Sequence, residues 1–164
     1  TWFSTKVRYQ KTMEDGSEKV VTENYLVDAL SFTEAESAIT DEMSVYVSGE
    51  FQVSGIAKAA YNEVFFSDVD DDDKWYKAKL QFITIDEKTE KEKRSTVNYL
   101  VQAKSLARAL RYVDEEMGKT MIDYDTIGLN ETNLMDVFEH QAPNKEEKND
   151  VPEYEQGNAE QPAE

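Results

Sequence analysis

"TENYLVDA" at residues 22–29 and "TVNYLVQA" at residues 96–103 agree at six of eight positions, with Tyr-Leu-Val at the centre of each. A single octapeptide decides little, so the test is whether the agreement extends outward. It does. Trp2 aligns with Trp75 and Lys6 with Lys79 at a spacing of 73, and Tyr25 with Tyr99 at 74. The spacing of 74 holds through Ser31/Ser105, Ala35/Ala109, Glu42/Glu116 and Met43/Met117, then returns to 73 for Ile56/Leu129, Glu63/Asp136, Val64/Val137 and Phe65/Phe138. Correspondence over a whole unit implies a tandem duplication, with repeats at 2–66 and 75–139 joined by the Asp-rich stretch 67–74.

Each repeat opens with alternation. Phe3, Val7 and Tyr9 interleave with Ser4, Lys6 and Arg8, and Tyr76, Ala78, Leu80 and Phe82 interleave with Lys77, Lys79 and Gln81, which is the pattern of a half-buried strand. Hairpin loops follow at "EDGSE", with its Asp15-Gly16 turn signal, and at "DEKTEKEK". They lead into second strands at about 19–27 and 93–101. The next segments are helical. In the first, either Ser31 with Glu34 or Thr33 with Glu36 forms a capping box, and Phe32, Ala35, Ile39 and Met43 share a face. In the second, Leu106, Ala109, Leu110, Val113 and Met117 make the matching face and Gly118 stops the helix. The stretches after the helices read as one long bent strand or two short ones, so each unit is ββαβ or ββαββ.

A unit of this size buries too little surface to stand comfortably alone. The expected fold is therefore α+β: an antiparallel sheet covered by two equivalent helices in one pseudo-symmetric domain spanning 1–140. The segment 141–164, rich in Glu, Pro, Asn and Gln, is expected to be a disordered acidic tail.

Charge constrains the partners. The chain carries −17, of which the tail holds −5 and the remainder −12. Such a field repels phosphate backbones at long range, so nucleic-acid binding needs a concentrated basic patch. No apolar run approaches the roughly 20 residues that cross a bilayer, and "TWFSTKVRYQ" lacks the apolar core of a signal peptide, so a cytoplasmic protein without membrane contact is expected. The absence of cysteine removes disulfides, thiol catalysis and thiolate metal sites together.

The residues also argue against an enzyme. The one histidine, His140, sits at the junction with the tail, where general base chemistry is poorly positioned, and the six glycines form no phosphate-binding loop. Neither cofactor nor metal is called for. Asp68, Asp70 and Asp72 alternate as calcium-loop ligands do, but Asp73 stands where the loop needs glycine and Lys79 where it needs glutamate, which leaves an ordinary solvated linker as the better reading. That linker also contains the enteropeptidase recognition sequence ending at Lys74.

One constellation occurs twice. In both first strands the tryptophan falls in register with the basic residues: Trp2, Lys6 and Arg8 in one, Trp75, Lys77 and Lys79 in the other. Rings stacking on bases with lysines meeting phosphates would suit single-stranded nucleic acid. The competing reading is that each Trp packs against the sister repeat while the lysines coat a solvated strand face.

"WFSTKVRYQKTMEDGSEKVVTENYLVDALSFTEAE", "KLQFITIDEKTEKEK" and "ETNLMDVFEH" resemble a domain-of-unknown-function family of small proteins from gut Bacteroidetes and their bacteriophages. The resemblance covers about residues 2–140 and brings no catalytic residues with it. It implies a phage or mobile-element protein acting in the bacterial host cytoplasm. Three functional expectations follow: a non-catalytic single-stranded nucleic-acid-binding module using the Trp/Lys face, an acidic protein-interaction module or DNA-mimic inhibitor of a host factor, and a structural or assembly protein.

Overall fold

Gly16 adopts φ +88°, the left-handed conformation that closes the first hairpin between β1 (Trp2–Thr12) and β2 (Glu18–Asp28). The computed structural model describes residues 1–140, so the expected disorder of 141–164 lies outside the described residues. After β2 the chain runs through α1 (Phe32–Tyr46), β3 (Phe51–Ala59) and β4 (Glu63–Phe65). It then repeats this order as β5 (Lys74–Ile85), β6 (Glu92–Ala103), α2 (Leu106–Met117), β7 (Asp123–Glu131) and β8 (Leu134–Phe138). Each stretch after a helix is thus two strands. In the second hairpin the Asp86 carboxylate accepts from the Lys88 and Thr89 N–H groups and Glu90 takes the left-handed position at φ 58°.

The helix starts follow their caps. Ser31 Oγ accepts from the Glu34 N–H at 3.1 Å, and Glu34 reaches back to the Leu30 N–H at 2.8 Å, which selects the first of the two capping options. Ser105 caps α2 in the same manner through the Arg108 N–H at 3.2 Å. Ala35, Ile39 and Met43, and in α2 Ala109, Val113 and Met117, are buried. Phe32, Leu106 and Leu110 correct the expected apolar faces. Phe32 is 49% exposed, with its ring edge on Phe3, and the two leucines stand at the helix margin rather than on the sheet. Gly118 ends α2 in the right-handed region at φ −65°, so it caps without the left-handed turn.

The expected single sheet is two. The strand orders are β3-β1-β2-β8 and β4-β6-β5-β7, each sheet carrying one helix. Three strands of each sheet are antiparallel and come from one half of the chain. The fourth comes from the other half and is parallel: β8 lies along β2, and β4 along β6. The halves therefore exchange strands reciprocally. The periodicity of a strand specifies its faces but not its neighbour, which is why the exchange was not visible in the sequence.

The shared Tyr-Leu-Val motif is where this exchange happens. Glu63, Val64 and Phe65 pair with Tyr99, Leu100 and Val101, while Asp136, Val137 and Phe138 pair with Tyr25, Leu26 and Val27. All three motif residues are buried in both copies because the strand is covered on both faces. Tyr25 and Val27 face α1, Tyr99 and Val101 face α2, and Leu26 and Leu100 meet between the sheets in a cluster with Trp75 and Val137. Trp2, Ala59, Tyr61, Val64 and Leu134 pack around it, so this core belongs to both halves. At roughly 1.5–3 kcal/mol for each large apolar side chain removed from water, it is a principal bond between them.

Candidate functional site

Strand alternation places Trp2, Ser4, Lys6 and Arg8 on the face of β1 turned away from α1, and Trp75, Lys77, Lys79 and Gln81 on the corresponding face of β5. The structure brings the two tryptophans into one cluster and leaves the basic residues on separate sheets. Trp75 is 2% exposed and its ring stands edge-on to Phe66 at 5.4 Å between centroids, so it offers no face to a base; Trp2 is half-buried against the same cluster. This corrects the stacking role read for Trp75. The ring packs between the halves instead.

The cations remain available. Lys6, Arg8 and Lys79 are exposed and Lys77 is half-buried, and among the described residues none of the four forms an ion pair. Lys6 lies opposite Gly55 and Lys79 opposite Gly128, each next to a register shift in its ladder.

The Asp-rich stretch is not a uniformly solvated linker. Asp72 is buried, and its carboxylate accepts from Ser67 Oγ, from Tyr112 Oη at 2.6 Å and from Arg108 Nη1 at 3.3 Å. Desolvation works to raise its pKa, but the hydrogen bonds from Ser67, Tyr112 and Arg108 prevail and hold the carboxyl below its usual range. Nothing in a run of consecutive aspartates marks one of them for burial, so sequence reasoning missed Asp72 and both helix partners.

A groove of about 370 Å³ opens beside α1. Val27, Ala38 and Phe138 contribute its apolar surface. Glu34, Ala38, Asp41 and Glu42 share one helix face at i, i+4, i+7 and i+8, and Asp28 and Glu139 add carboxylates from the strand ends. His140 lies here too, with Nδ1 3.2 Å from Glu34 Oε2, so the histidine expected at a loose junction is held on the helix. The helical spacing was legible in the sequence. The placement of β8 next to it was not.

A second carboxylate-lined hollow of about 360 Å³ lies at the joint, formed in part by Asp68, Asp70, Asp73, Asp136 and Met135. Among the described residues no group of three or more acidic or histidine side chains has the geometry to hold a metal ion. No described helix is long and apolar enough to cross a membrane.

Neither a curated protein nor a solved structure matches the chain. Residues 1–140, every residue of the two sheets and two helices just described, match the model of a family described as a domain of unknown function (DUF4494), and the chain belongs to that family.

Proposed function

We propose that this protein is a non-catalytic, acidic protein-interaction module whose partner presents a basic polypeptide surface. The observation that carries the reading is that two separate hollows are lined by carboxylates, Glu34, Asp41 and Glu42 beside α1 and Asp68, Asp70 and Asp136 at the joint. The −12 carried outside the tail acts in the same direction, drawing cationic partners and repelling polyanions. A DNA-mimic inhibitor of a host factor is one form such a module takes.

Single-stranded nucleic-acid binding is the second reading, favoured by Lys6, Arg8, Lys77 and Lys79, which form no ion pair among the described residues. Without Trp75 as a stacking platform it rests on phosphate contacts alone, which the surrounding field opposes. We further propose that the two halves descend from one duplicated ββαββ unit and form one pseudo-symmetric domain. The support is their common element order and the reciprocal strand exchange. A phage or mobile-element origin and a cytoplasmic site of action rest on the family resemblance.

The deciding experiment is fluorescence anisotropy with two labelled probes, a Lys/Arg-rich peptide and an oligo(dT) strand, at low and physiological salt. Salt-sensitive binding of the peptide with none of the oligonucleotide is expected. Binding of oligo(dT) alone would replace the first reading by the second.

A further inference from the structure

The two helices differ in charge at matched positions. In the second half, the chain leaving β4 crosses α2 and is pinned there by the Arg108 and Tyr112 side chains on Asp72. The spacing of 74 that relates the helices places Glu34 where α2 has Arg108, and Ala38 where it has Tyr112. Both helices carry a carboxylate pair further along the same face, Asp41 and Glu42 in α1 and Glu115 and Glu116 in α2. Beside α1 the anion-holding pair is therefore replaced by an acid and a small residue. The resulting groove is larger, about 370 Å³ against 270 Å³ for the corresponding hollow lined by Tyr112, Glu115 and Glu116.

From this we infer that the groove formed by α1 and the end of β8 is a docking site for a Lys- or Arg-bearing segment of a partner protein, placed against α1 as the Asp72 segment is placed against α2. The inference rests on the protein-interaction reading above and names its site. Three observations support it. The walls are acidic: Glu34, Asp41 and Glu42 from the helix and Asp28 and Glu139 from the strand ends face a cation from several sides. The surface between them is apolar, through Val27, Ala38 and Phe138, which suits the methylene stems of Lys and Arg while their charged heads meet the carboxylates. One carboxylate of the groove already meets a nitrogen-bearing side chain, since His140 Nδ1 sits 3.2 Å from Glu34 Oε2. Its volume falls at the lower end of the range for ligand sites, roughly 300–1,000 Å³. The positive end of the α1 dipole opposes a cation only in the first turn, and Asp41 and Glu42 lie beyond it.

The test measures the affinity of the full chain for a labelled Lys/Arg-rich peptide in three variants whose folding is checked by thermal melting. Asp41→Asn/Glu42→Gln removes two groove charges. Ala38→Tyr fills the groove with the side chain its counterpart carries. Glu14→Gln/Glu87→Gln removes the same net charge from the two hairpin loops. The expected result is about tenfold weaker binding for each groove variant and a change within about twofold for the loop variant. Equal weakening by the two double variants, or unchanged binding in Ala38→Tyr, would overturn the groove and leave the protein-interaction reading standing. A chain that binds no basic peptide in any form would overturn both.

Discussion

Arg108 on α2 and Asp72, which precedes it by 36 residues, form an ion pair at 3.3 Å in which the carboxylate side chain is wholly withdrawn from solvent. With Tyr112 completing the contact from one helical turn further on, the segment between the halves is fastened to α2. A buried charge keeps its place only while its partners do, because an unpaired carboxylate in that position would have to be desolvated for nothing.

Proteolysis at the joint reads this fastening directly. Enteropeptidase needs the Asp70–Lys74 run extended, and here Asp72 is held while Lys74 begins β5 opposite Ala103. Native protein is expected to be cut slowly. Tyr112→Phe, which leaves the recognition sequence untouched, removes one hydrogen bond to a charged acceptor, about 1.5–3 kcal/mol. Cleavage is then expected to quicken by about tenfold or more, since cutting follows the population of the open segment. Equal cleavage rates for the two proteins would show that the Asp72 contacts do not hold the segment.

Cutting the joint should not separate the halves. The fragment ending at Lys74 contributes β4 to the second sheet, and the fragment beginning at Trp75 contributes β8 to the first. Nicked protein is expected to elute from a sizing column as a single species at the position of the intact chain, and to divide only in denaturant. Two independently folded fragments in native buffer would contradict the exchanged topology.

Trp75 is expected to emit as a buried indole. In Trp2→Phe, which leaves one tryptophan, emission should be blue-shifted and poorly quenched by acrylamide. Trp75→Ala should cost about 3–5 kcal/mol in urea unfolding, the usual range for emptying a large aromatic site. It removes apolar contacts with Leu26, Leu100 and Val137 at once, so both halves are expected to unfold in the same transition. Separate transitions for the two sheets would count against a shared core.

Stability should fall at both ends of the pH scale, for different groups. The folded-state pKa of Asp72 lies below the ordinary 3.8, so the unfolded chain takes up its proton first. The contribution of Asp72 is present above that value and is lost as pH drops below it. Asp72→Asn should flatten this acid limb of the unfolding curve. At the alkaline end, the hydrogen bond to Asp114, burial and the nearby Asp114 charge push Tyr124 up to about 12 from 10.0. Burial, followed by the Glu23 hydrogen bond, raises Tyr25 further. These phenols stay protonated in the folded state when the unfolded chain has lost its protons, so their contribution is complete below pH 10 and is lost on raising pH through the folded values. Asp114→Asn should bring one tyrosine back toward ordinary behaviour in an ultraviolet titration.

Much of the local structure was legible because it rests on short-range rules. The Asp15-Gly16 turn, the Ser31/Glu34 capping option at the first helix start and the alternation along β1 and β5 all depend on residues within a few places of one another. The candidate site was legible only in pieces. Glu34, Asp41 and Glu42 share a face by helical spacing alone, but Phe138 and His140 reach them because β8 crosses to the first sheet. Trp75 was in register with the lysines as expected, yet register gives a face and not its exposure, and the other sheet covers it.

The sequence by itself determined the order of strands and helix in each half, which residues share a face, and the excess of negative charge. Tertiary structure alone decided that there are two sheets, that β4 and β8 change places, and that one aspartate among its neighbours is buried. The physical reason is that side-chain period and turn chemistry act locally. Backbone pairing offers the same hydrogen bonds to any extended neighbour, so partner choice is settled only when Leu26, Leu100, Trp75 and Val137 find a common interior.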